Sequence, residues 1–90
     1  MQFLSIIVKG KVQGVFFRAS TKAVADQLGV KGTVKNLADG TVAIEAEADE
    51  QVMNFFLEWC KEGPENAEVG AVEIIETESK NYRNFVILKR

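Results

Sequence analysis

The chain has 90 residues, 47% hydrophobic and 27% charged, with a formal net charge of −2. That length fits a single domain spanning residues 1–90, and the composition lies outside the disordered class. The acidic balance argues against nucleic acid as a partner, the lone Cys60 excludes an internal disulfide or a cysteine-rich metal site, and the absence of histidine removes the commonest general base.

"MQFLSIIVKG" is rich in Phe, Ile and Val and stops at Gly10, which predicts a buried strand. From Phe16 to Leu28 the period changes. Phe17, Val24, Ala25 and Leu28 fall at i, i+7, i+8 and i+11, one stripe of a helix that ends at Gly29. "VKGTVKNLADGTVAIEAEAD" predicts a hairpin turning at Asp39-Gly40. On its second flank Val42, Ile44, Ala46 and Ala48 share a core face, and Ala43, Glu45 and Glu47 face water. Asp49 is placed to cap a second helix whose inner stripe reads Val52, Phe55, Phe56, Trp59 and Cys60, and Gly63-Pro64 ends it. "VGAVEIIETES" predicts another strand and "NFVILK" a short last one.

The order β-α-β-β-α-β with an extra terminal strand defines an α+β chain. Its expected form is a ferredoxin-like βαββαβ sandwich, an antiparallel sheet with both helices on one face. No apolar run approaches the ~18 residues of a membrane span, and the N-terminus opens as strand without a basic-then-apolar leader. The expectation is a soluble, cytoplasmic monomer with neither a membrane nor a nucleic-acid partner.

The loop joining the first strand to the first helix carries the chemistry. Lys11, Val12, Gln13, Gly14, Val15, Phe16 and Phe17 lead into Arg18. The first N–H groups of a helix lack internal partners, the helix dipole is positive there, and glycines let backbone amides converge on an anion. Arg18 falls in the first helical turn, from which a guanidinium can offer paired donors to a phosphoryl group. A glycine-bounded loop before a helix is common, however, and a lone first-turn arginine is often simply solvated, so the pattern alone leaves both readings open. Val12, Val15 and Phe17 are expected to pack beneath the loop in either case.

Val12 stands six residues before Arg18, the spacing of the C-x5-R loop of cysteine-dependent phosphatases. Valine cannot act as that loop's covalent nucleophile, and Cys60, on the core stripe of the second helix, does not replace it. No Gly-Lys-Ser/Thr follows, so the loop is not a Walker A motif either. Water is then the nucleophile, and with no histidine to assist, the substrate must already be activated. A mixed carboxylic-phosphoric anhydride meets that need, because its leaving carboxylate has a conjugate acid of pKa about 4–5 and requires no general acid. Asn36, near the end of the second strand, can orient a water, since an amide accepts and donates at once. It can equally serve the adjacent Asp39-Gly40 turn, and the two readings stand level.

These residues resemble the acylphosphatase family. "GKVQGVFFR" fits the signature G-x-V-Q-G-V-x-F-R from Gly10 to Arg18, "GTVKNLADGTV" fits G-x-V-x-N-x-x-D-G-x-V from Gly32 to Val42, and "GPENAEV" is similar to a later G-P-x-x-A-x-V segment. The resemblance implies hydrolysis of small-molecule acyl phosphates to a carboxylate and inorganic phosphate, without metal or cofactor, and phosphate acting as a competitive inhibitor. It implies phosphoryl binding by Arg18 with the loop amides, and a water positioned by Asn36. Thr33 departs from the family pattern, where an aromatic is frequent, and "FVILKR" ends in charge where many members end in an aromatic. Neither change touches the two catalytic positions, and the tail is expected to matter little. Two other readings remain: an acylphosphatase-like module that binds a phosphorylated ligand or partner without useful turnover (related domains are found fused to larger hydrogenase-maturation proteins), and a small-molecule or RNA-binding ferredoxin-like domain. The second lacks a basic patch and exposed aromatic pairs.

Overall fold

Leu4, Ile6 and Val8 are buried and their neighbours are more exposed in β1 (Gln2–Lys11), the period-2 pattern of a strand with one face in a core. In the computed structural model, which describes residues 1–89, there follow α1 (Phe17–Leu28), β2 (Lys31–Asn36), β3 (Val42–Ala48), α2 (Glu50–Glu62), β4 (Glu68–Glu76) and β5 (Phe85–Ile87). The sheet order is β4-β1-β3-β2-β5. Antiparallel ladders join β1 to β3 and β4, and β2 to β3, in the ferredoxin-like arrangement read from the sequence.

The terminal strand makes the sheet mixed. Gly32 pairs with Phe85, Thr33 with Val86 and Val34 with Ile87, all parallel. The ladders leave the end of β4 at the same end of the sheet as the start of β2, so a connection across that end delivers β5 alongside β2 in the same direction. The carboxyl ends of β1, β2 and β5 therefore lie together at the opposite end, where α1 begins.

The core lies between the sheet and the helices. α1 packs on β2 and β5, α2 on β4, β1 and β3, and the helices touch each other. Phe17 and Trp59 meet with ring centroids 5.5 Å apart, and Phe56 meets Phe85 edge-on at 6.1 Å. The α1 stripe forms as expected: Phe17 and Ala25 are buried, with Val24 and Leu28 packed against them.

The α2 stripe is rotated from the expected one. Met53, Phe56 and Cys60 are fully buried and Phe55 is 59% exposed. At 3.6 residues per turn Phe55 points about 200° away from Met53, so once Met53 takes the core, Phe55 faces out. Asp49 occupies the N-cap position, but its carboxylate makes no capping hydrogen bond. Glu47, expected in water, is only 8% exposed because Lys80, in the β4–β5 connection, donates its backbone N–H to Glu47 Oε2 at 2.7 Å.

Candidate active site

The loop between β1 and α1 is shaped by two backbone requirements. At Gly10 a Cβ would run into the Glu68 carbonyl of the neighbouring strand, and Gly14 sits at φ +74°, a conformation that L side chains resist. Beneath the loop Val12, Val15 and Phe17 are buried, as expected. Ser20 N–H to the Phe16 carbonyl, 3.0 Å, is the first hydrogen bond of α1. Among the described residues, the amides from Gln13 to Ala19 donate to no protein oxygen, which leaves a run of free donors at the helix's positive end.

Gln13 fixes where that run sits. Its Nε2 donates to the carbonyls of Leu37, at 2.8 Å, and Thr41, at 2.9 Å. The loop is thereby clamped to the β2–β3 hairpin, whose own turn is closed by Leu37 N–H to Thr41 O at 2.9 Å and Gly40 N–H to Leu37 O at 3.2 Å. Thr41 donates to Asp39 Oδ1 from its hydroxyl at 2.6 Å and from its N–H at 3.0 Å. These two bonds, the hydroxyl's first, hold the Asp39 carboxyl below its ordinary value. A depressed folded pKa means that this support for the turn is present above the unfolded value of about 3.9 and fades as pH falls through the folded one.

Asn36 ends β2 beside this turn but contributes none of its bonds. Its Oδ1 is buried and has no hydrogen-bond partner among the described residues. An orphaned buried acceptor costs about 1–3 kcal/mol, so it calls for a partner from outside the chain. Asn36 and Arg18 line one cavity of about 520 Å³, with Val12, Gly14, Phe16 and Phe17 on the loop side. Arg18 is half-buried there and forms no ion pair among the described residues.

Not every loop residue named from the sequence has its side chain at the cavity. Lys11 belongs to β1, opposite Glu68, and Val15 lies beneath the loop. Gln13 braces the loop from behind rather than lining the opening. Three cavity residues were missed: Ala19, Ile87 and Lys89. The tail was expected to matter little, yet parallel pairing of Val34 with Ile87 carries Ile87 and Lys89 to the cavity, while Arg90 lies outside the described residues. Phe85 and Ile87 share one face of β5 by strand alternation, a signal present in the sequence but useless until β5 is paired.

Cys60 lies on α2 among core side chains, and burial pushes its thiol up to about 12, so it stays protonated and structural. Among the described residues no three Asp, Glu or Cys side chains are grouped to hold a metal ion. No helix is long and apolar enough to cross a membrane.

The ferredoxin-like sandwich thus gathers free amides, a guanidinium with no ion pair and a side-chain carbonyl with no partner, among the described residues, at one end of its sheet. Comparison with known proteins defines the class. The sequence profile of the acylphosphatase family matches residues 4–87. An acylphosphatase of Archaeoglobus fulgidus is 48% identical over 84 residues, covering 93% of this chain and 94% of that protein. The crystal structure of acylphosphatase from Bacillus subtilis superposes with a TM-score of 0.94 at 37% identity, covering 98% and 99% of the two chains. HypF of T. kodakarensis matches with a TM-score of 0.86 at 30% identity over 98% of this chain but only 12% of its own length. The chain belongs to the acylphosphatase family and is an enzyme that hydrolyses acyl phosphates.

Proposed function

We propose that Arg18 and the loop amides from Gln13 to Phe17 bind the phosphoryl group while Asn36 orients the attacking water. The observation carrying this is that Asn36, whose buried Oδ1 has no partner among the described residues, lines the same cavity as Arg18. Arg18 brings a permanent charge and paired donors, and the amides add fixed dipoles that cost no reorganisation during reaction. Asn36 Oδ1 accepts a hydrogen bond from water, and its Nδ2 donates one to a phosphoryl oxygen, which holds the water near phosphorus for in-line attack. A new P–O bond forms as the anhydride P–O bond breaks, and its electron pair leaves on the carboxylate. The carboxylate departs unprotonated, and the water's protons leave on inorganic phosphate or pass to solvent.

On this reading the chain works as one domain spanning residues 1–90, a monomer in the cytoplasm, and its phosphate product competes with substrate for the cradle.

The test is hydrolysis of benzoyl phosphate in a chelator, with inorganic phosphate as inhibitor. Wild type turns over and phosphate competes. Asn36→Ala lowers kcat by about 10²–10³, the scale of one positioned transition-state hydrogen bond, while the phosphate inhibition constant holds. An Asn36→Ala variant with full kcat would remove the water-orienting role.

A further inference from the structure

Phe16 stands out on three counts. Its backbone sits at φ 62°, ψ 26°, the left-handed region, where a bulky L residue is an outlier. The other non-glycine residue with positive φ among those described is Asn81, a type that tolerates it. Phe16 is also 80% exposed, whereas Phe17, Phe56 and Phe85 are buried. Finally, it lines the cavity two residues before Arg18.

Glycine or asparagine would satisfy this backbone at lower cost, and a polar side chain would suit the exposure better. The ring repays neither cost through packing, since so little of it is covered by the chain. Strain kept at a cavity wall points outward, to what enters the cavity.

The rest of the wall indicates what that is. With the phosphoryl group on Arg18 and the loop amides, the acyl group extends into the remaining space, where Ala19 and Ile87 add apolar surface to that of Phe16 and Lys89 adds one charge. We propose that Phe16 is a specificity-determining residue whose ring packs on the acyl group and favours aromatic and other bulky apolar acyl phosphates. This rests on Arg18 and the loop amides holding the phosphoryl group, which fixes the acyl group's side of the cavity.

The test compares kcat/KM for benzoyl phosphate and acetyl phosphate, which share the phosphoryl group and differ in the acyl group. In Phe16→Gly the benzoyl-to-acetyl ratio falls about fivefold, the scale of one aromatic contact, and Phe16→Trp restores it. Tm of Phe16→Gly stays at or above wild type, because glycine relieves the left-handed strain and little packing is lost. An unchanged ratio overturns the proposal. So does an equal fall on both substrates with weakened phosphate inhibition, which would mean that Phe16 only shapes the cradle. A ratio that falls as expected while Arg18→Gln leaves phosphate inhibition intact would count against the phosphoryl assignment and not against the ring.

Discussion

Among the described residues that line the cavity, Arg18 alone carries both a fixed charge and a fork of donors. Its half-buried position, with no acidic partner among the described residues, leaves the guanidinium free for a ligand. Charge and geometry are separable here. Arg18→Lys keeps the charge but loses the planar fork, and Arg18→Gln loses both. The expected order of phosphate inhibition and of kcat/KM is wild type, then Lys, then Gln, with Gln down by about 10²–10³ in kcat/KM. Steady-state kinetics on benzoyl phosphate with phosphate titrated in would show it, and a Gln variant inhibited as well as wild type would refute phosphoryl binding by Arg18. Asn36 is a different kind of residue. Its type and place beside the turn could be read from the sequence, but both roles stayed open. The buried, unpartnered Oδ1 and a turn closed by Leu37, Gly40, Asp39 and Thr41 are tertiary facts, and they tilt the choice toward the cavity.

At the scale of elements, catalysis on this reading depends on a loop and a hairpin from different parts of the chain keeping register, and Gln13 is their link. Gln13→Ala removes two donor bonds at about 0.5–1.5 kcal/mol each and should lower stability by about 1–3 kcal/mol, with kcat falling as well. Gln13→Glu is the sharper variant. At neutral pH it presents a carboxylate to two carbonyl oxygens, so it should be less stable and slower than Gln13→Ala. Urea denaturation and turnover of both variants provide the check; equal behaviour of Ala and Glu would mean that the bridge carries no register. Elements with local signals were legible: the strand ending at the loop, the α1 stripe, and the Asp39-Gly40 hairpin. The α2 stripe was legible only in part, because apolar residues crowd that segment and the period alone did not rank Phe55 below Met53. The parallel pairing of β5 was not legible, since it depends on the route of a connection between distant edges.

At the scale of the molecule, that route is what completes the cavity. From β4 at one edge, the chain reaches β5 at the other, and the face bearing Glu45 and Glu47 holds it on the way. Lys80 is fastened twice: its N–H to Glu47 Oε2 at 2.7 Å, and its ammonium to Glu45 Oε1 at 2.6 Å. The exposed ammonium pair contributes little, while the bond to the buried Glu47 carboxylate, a charged acceptor, is worth about 1.5–3 kcal/mol. Glu47→Ala should therefore lower Tm by on the order of 10 °C for a domain of this size. Because β5 carries Ile87 and leads to Lys89, both on the cavity wall, the same change should raise KM for benzoyl phosphate more than it lowers kcat. Glu47→Gln keeps a neutral acceptor for the Lys80 N–H and should lose less than half as much stability. Calorimetry with amide hydrogen exchange on β5 separates the cases. Faster exchange confined to Phe85–Ile87 in Glu47→Ala is the expected outcome, and unchanged Tm and exchange would show that the strand docks without the carboxylate.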